Sequence, residues 1–97
     1  MLMLILSALI GCQSYRSAVG IICHAPTTCK PCAKAPNVYQ RRDLLQQHVD
    51  SQLKNEKARE LLNSMADMSP SLRSQTLASE AKRSGIKGCP LAVELKD

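Results

Sequence analysis

Beyond residue 36 the chain alternates apolar and polar positions with a helical period. Val38, Leu45, Val49 and Leu53 recur at intervals of seven, four and four, so they share one helical face, and Leu44 widens it. Asn37, behind Pro36, is placed to cap that helix, because its side chain can accept from a first-turn amide that has no partner within the helix. Asn55 opens a second run, in which Ala58, Leu61, Leu62, Met65 and Met68 follow at helical spacing and Glu56 stands in the first turn, where the helix dipole favours an acid. The pattern at Lys54-Asn55 is compatible with a break or with one continuous helix. Ser69-Pro70 predicts a third helix, since Ser caps and Pro is pre-shaped for the first helical position. Leu72, Leu77 and Ala81 form its narrow apolar face, and Lys82 and Arg83 stand in its last turn. Gly85 is expected to end it in the left-handed conformation, with Ile86 packing back onto the helix. Gly88-Cys89-Pro90 then reads as a turn, and residues 91–95 as a short apolar tail docked on the helices.

The two earlier stretches follow other patterns. Residues 13–36, QSYRSAVGIICHAPTTCKPCAKAP, hold three Pro, one Gly and several Ser and Thr, which predicts a largely irregular segment. Only residues 18–23, AVGIIC, suggest a short strand or a turn of helix. Residues 1–10, MLMLILSALI, are an apolar run of about ten residues, too short to span a bilayer, which takes ~20 residues, but of signal-peptide length.

That run ends at Leu9-Ile10-Gly11-Cys12, which resembles the lipobox of bacterial lipoprotein signal peptides. The resemblance covers residues 1–12 and implies removal of residues 1–11, lipidation of Cys12 with acyl chains such as palmitate, and attachment to a membrane. Gly11 suits it, because a small residue before the cysteine lets a peptidase approach the bond. Lipoproteins of this kind carry a Lys or Arg ahead of the apolar run, and none stands there in this chain. Gln13, where an Asp would favour the inner membrane, implies an address in the cell envelope, on the outer membrane facing the periplasm.

Composition narrows the remainder. With no Phe, no Trp and two Tyr, the core must be built from Leu, Ile, Val, Met and Ala, which favours helices over sheet. Thirteen Lys and Arg against eight Asp and Glu leave a net charge of +5. The signs are interspersed along the helices, as on an ordinary solvated surface, so no nucleic-acid partner is expected. The fold expected is mainly α: about three short helices behind an irregular Cys/Pro-rich N-terminal stretch, stabilised by disulfides. Its segments are a leader over 1–11, a lipid-anchored linker or loop over 12–36 and a small helical domain over 37–97.

Setting Cys12 aside for lipid leaves Cys23, Cys29, Cys32 and Cys89, an even number that suggests disulfides in an exported small domain. Three pairings are open, and Cys89 is expected to join one of the other three. Two alternatives compete. Cys29-Lys30-Pro31-Cys32 has the CxxC spacing of thiol oxidoreductases, though without the βαβ context that motif needs. Cys23, His24, Cys29, Cys32 and Cys89 could instead supply soft ligands to zinc or an iron-sulfur cluster. His48 reads as a half-exposed helix residue, and Met65 and Met68 as core. No Ser-His-Asp set or phosphate-binding loop stands out, so the leading expectation is a non-enzymatic structural or interaction module without a cofactor, working with an envelope protein partner.

Overall fold

The computed structural model describes residues 13–96. Six helices make up the described chain: α1 (Tyr15–Thr28), α2 (Lys30–Ala33), α3 (Val38–Gln52), α4 (Glu56–Met65), α5 (Pro70–Arg83) and α6 (Pro90–Leu95). The protein is mainly helical and disulfide-stapled, as expected, and the helices foreseen beyond residue 36 are α3, α4 and α5.

Their caps follow from the residues that start them. The Asn37 side chain accepts from the Gln40 amide at 2.9 Å and that of Asn55 from the Ala58 amide at 3.0 Å. Ser69 accepts from the Leu72 amide at 3.3 Å, with Pro70 as first helical residue. Residues 53–55 separate α3 from α4, so the chain breaks there into two helices. At the end of α5 the Ile86 amide donates to the Ala81 carbonyl and the Gly85 amide to that of Lys82, with Gly85 at φ 75°. These two bonds are a Schellman cap, which glycine makes without Cβ strain.

The stretch expected to be an irregular linker over 12–36 is instead helical from Tyr15 to Thr28, and it lies in the middle of the fold. Ala18, Val19, Ile22, Cys23 and Ala25 are buried on one side of α1. That is the i, i+1, i+4, i+5, i+7 set of a helix with a broad apolar face. Ser14 caps it by accepting from the Ser17 amide at 3.0 Å. Pro26 stands only two residues before the helix ends, so it removes one backbone bond rather than splitting the element. The hydroxyls of Thr27 and Thr28 close the last turn by donating to the His24 carbonyl. No domain boundary falls at residue 36: residues of α1 and α2 share one core with Leu45, Val49, Leu53, Ala58, Met65, Leu77, Ala81 and Ala92.

α1 packs against each of the other five helices, whereas α3, α4 and α5 meet α1 far more than one another. The apolar tail expected after Pro90 is the helix α6, seated on α1 and α5. Two residues assigned to apolar faces lie in solvent. Val38, 59% exposed, is in register with Leu45 but occupies the first turn of α3, where no helix covers it. Leu72, 48% exposed, stands two residues before Ser74, about 200° around the helix from it. The core side of α5 is Ser74, Leu77 and Ala81, and Ser74 is accommodated because its hydroxyl donates to the Ala92 carbonyl at 2.6 Å.

Candidate functional site

The four described cysteines are paired. Cys23, in the middle of α1, is bonded to Cys89 at the head of α6, with Cα atoms 4.6 Å apart. Cys29, the residue that ends α1 and begins α2, is bonded to Cys32 with Cα atoms 5.3 Å apart. Both sulfurs of the second pair are covered, Cys29 being 3% and Cys32 1% exposed. Thiol exchange needs a nucleophile to reach sulfur, and the folded chain covers both cysteines of this CxxC pair. His24 is half-buried next to Cys23 on α1. A disulfide sulfur offers no thiolate to a metal, and among the described residues no three His, Cys, Asp or Glu side chains are grouped to hold one.

His48 does find a partner. Its Nε2 lies 2.9 Å from the Thr28 hydroxyl, which ties the end of α1 to α3. On the other side of the cysteines Arg41 clasps three elements together. Its Nη1 donates to the Cys32 carbonyl at 2.7 Å, and its Nη2 and Nε donate to the Glu94 carboxylate at 2.6 and 3.1 Å.

Two features were not foreseen. The first is a groove of about 410 Å³, which exists because α3 and α4 diverge from their corner instead of packing together. Leu45, Val49, Leu62, Met65, Leu91 and Leu95 supply its apolar wall, and Arg42, Arg59 and Arg73 together with Asp50 its charged one. Two of the arginines hold helix ends: Arg59 Nη2 donates to the Asp50 and Leu53 carbonyls at 3.3 and 2.9 Å, and Arg73 to those of Met65 and Ala66 at 2.7 and 2.9 Å. Arg42 is exposed and donates to no group among the described residues. An apolar bed edged by guanidinium groups can take a surface that is apolar on one side and carries carboxylates on the other. Arginines at positions 42, 59 and 73 come from three helices, so no local spacing announces them.

The second is at the start of the described chain. Cys12, the expected lipidation residue, lies outside the described residues, but its neighbour Gln13 is held by three hydrogen bonds. Gln13 Oε1 accepts from the Lys54 amide at 2.8 Å, its Nε2 donates to the Gln52 carbonyl at 3.2 Å, and its carbonyl accepts from Asn55 Nδ2 at 2.8 Å. Two residues on, the Tyr15 hydroxyl donates to Glu80 Oε1 at 2.6 Å, and the other Glu80 oxygen pairs with Arg83 at 3.1 Å. Burial, then the hydrogen bond to Glu80 and its charge, push the Tyr15 phenol up to about 12, against a smaller opposing pull from Arg83. The phenol therefore stays a donor at neutral pH.

Among the described residues, fold and site together define a small helical globule with two internal disulfides, a basic-edged groove and a clamp on Gln13 at the corner between α3 and α4. Among the described residues no helix is long and apolar enough to cross a membrane. The chain matches no protein-family model, no curated protein and no solved structure.

Proposed function

We propose that the protein is a lipid-anchored lipoprotein of the bacterial envelope, a non-enzymatic module held at the membrane through Cys12. The observation that carries the reading is the fate of the cysteines. Once the lipobox thiol is set aside, every other cysteine is joined to another within the globule, the economy of an exported domain in an oxidising compartment. A core of small aliphatic residues with no aromatic ring at its centre needs such staples. Gln13 after the cysteine supports the outer membrane, facing the periplasm.

The module works by docking, and the groove supports a partner of defined chemistry. Its apolar wall suits the apolar stripe of a helix, and three arginines against one aspartate suit carboxylates along that helix, so the partner segment is an acidic amphipathic helix of an envelope protein.

Intact mass of the protein extracted from envelopes tests the anchor. The expected species begins at Cys12, carries acyl chains and keeps four cysteines closed to alkylation until reduced. A chain that retains residues 1–11 unacylated, with five alkylatable thiols, overturns it. The same preparation tests the groove through Arg42→Glu, which reverses the one rim arginine that holds no backbone carbonyl. The acylated mass should be unchanged while an acidic-helix protein that copurifies with the parent is lost. Its full retention removes the groove from the reading.

A further inference from the structure

The way the chain leaves its N-terminus deepens the anchored reading and rests on it. In a tethered protein, a flexible linker lets the globule wander over a distance that grows as the square root of the linker length. This chain has no such slack. Gln13 uses its amide oxygen, amide nitrogen and carbonyl on Lys54, Gln52 and Asn55, at the corner between α3 and α4. Asn55 is itself committed, because its Oδ1 caps α4 at the Ala58 amide while its Nδ2 holds Gln13. Ser14 is the cap of α1, and helix begins at Tyr15. Consecutive Cα atoms are ~3.8 Å apart, so an acyl-bearing residue 12 joins the globule within one residue of a fixed point.

The charges near that point agree. Lys54 is exposed on the corner itself, and Lys57 is exposed in the first turn of α4. Arg16, exposed on α1, approaches Gly85, with its Cζ 4.0 Å from where a Cβ of that residue would stand. Arg83 is joined to the same end through Glu80 and Tyr15. Four cations thus gather around the start of α1, with Glu80 already engaged by Tyr15 and Arg83 and the exposed acids Asp50 and Glu56 on the flanking α3 and α4. By contrast α2, with Lys30 and Lys34, follows the other end of α1, a helix of fourteen residues and therefore ~21 Å long.

We propose that this pole, formed by Arg16, Lys54, Lys57 and Arg83 around the clamped Gln13, lies directly against anionic phospholipid headgroups, so that the acylated protein stands on the bilayer in one orientation with α2 outermost. The groove begins at the membrane side, since Arg59 bonds to the Leu53 carbonyl of the same corner, and runs outwards to Arg73 at the end of α4.

The absence of tryptophan makes the orientation measurable. Two single-tryptophan variants of the full lipidated protein, Lys54→Trp and Lys34→Trp, are reconstituted into vesicles of phosphatidylglycerol and brominated phosphatidylcholine, and intact mass establishes acylation in each. The expected result is bromine quenching several-fold stronger at 54 than at 34, with the difference collapsing when Gln13→Ala is added to an acylated Lys54→Trp chain. Equal quenching at the two positions in acylated protein overturns the fixed pole and leaves the lipid anchor standing. Absence of the acyl mass removes the anchor itself, and the pole with it. Denaturant midpoints near the parent's show that each variant is folded.

Discussion

α1 and the set α3, α4 and α5 start alike, at side-chain caps, but differ in how much each buries. The three later helices each start at a side-chain cap, and each presents a thin buried stripe, which in α3 amounts to Leu45 and Val49. α1 contains a glycine and a proline, yet it buries five residues and touches every other element. All four helices are capped, α1 by Ser14, so the caps do not single out the helix that organises the core; only the breadth of what α1 buries does. Start signals report the local balance of backbone hydrogen bonds, whereas centrality is a tertiary property that overrides a weak local propensity.

The largest test of this contrast is to cut the staples. Cys23–Cys89 spans 66 residues and joins the centre of α1 to α6, for which chain-entropy arithmetic gives ~4 kcal/mol. Cys29–Cys32 spans 3 residues and gives ~1.5 kcal/mol on the same arithmetic. Urea midpoints should therefore fall far more for the double variant Cys23→Ala, Cys89→Ala than for Cys29→Ala, Cys32→Ala. Against a typical domain stability of ~5–15 kcal/mol, the first loss is a large fraction of the whole. Equal losses would mean that the entropy of the long loop is not what the first bridge controls.

Next in size is a comparison of core with cap. Ile22 is fully buried on α1, and Ile22→Ala is expected to cost ~2–5 kcal/mol through lost burial and the cavity left behind. Asn37→Ala removes the α3 cap and should cost ~1 kcal/mol. Both are read from denaturant unfolding with a common slope. If the cap substitution proves the costlier, then α3 rather than α1 is the organising element.

Much of α3, α4 and α5 is legible because Asn37, Asn55, Ser69-Pro70 and Gly85 act through bonds to residues no more than five positions away. The position of Val38 is not legible in this way: its register is right, and only the extent of the neighbouring helices decides that its turn is uncovered. α1 is readable in principle, since Ala18, Val19, Ile22, Cys23 and Ala25 are at helical spacing, but Gly20, Pro26 and the cysteines around them argue more strongly for a loop. Of the site, the link from Cys89 to the N-terminal cysteines could be anticipated from the even count in a thin core. The groove and the Gln13 clamp could not, because their parts lie 39 to 42 residues apart for Gln13 and on separate helices for the arginines.

The smallest predicted effect concerns Gly20, inside α1. A glycine inside a helix costs ~0.5–1 kcal/mol relative to alanine, because it loses more backbone freedom on folding. Gly20 would be indispensable if another chain pressed on it, but a Cβ built there meets only the Cδ1 of Ile86, at 3.8 Å, an ordinary van der Waals contact. Its φ is not positive, so no left-handed backbone requires it. Gly20→Ala should therefore raise stability by ~0.5–1 kcal/mol, a melting temperature higher by ~2–8 °C for a domain of this size. A lower melting temperature would show that Ile86, held by the Schellman cap of α5, cannot yield even to a methyl group. α1 would then owe its place to that close approach as much as to its apolar face.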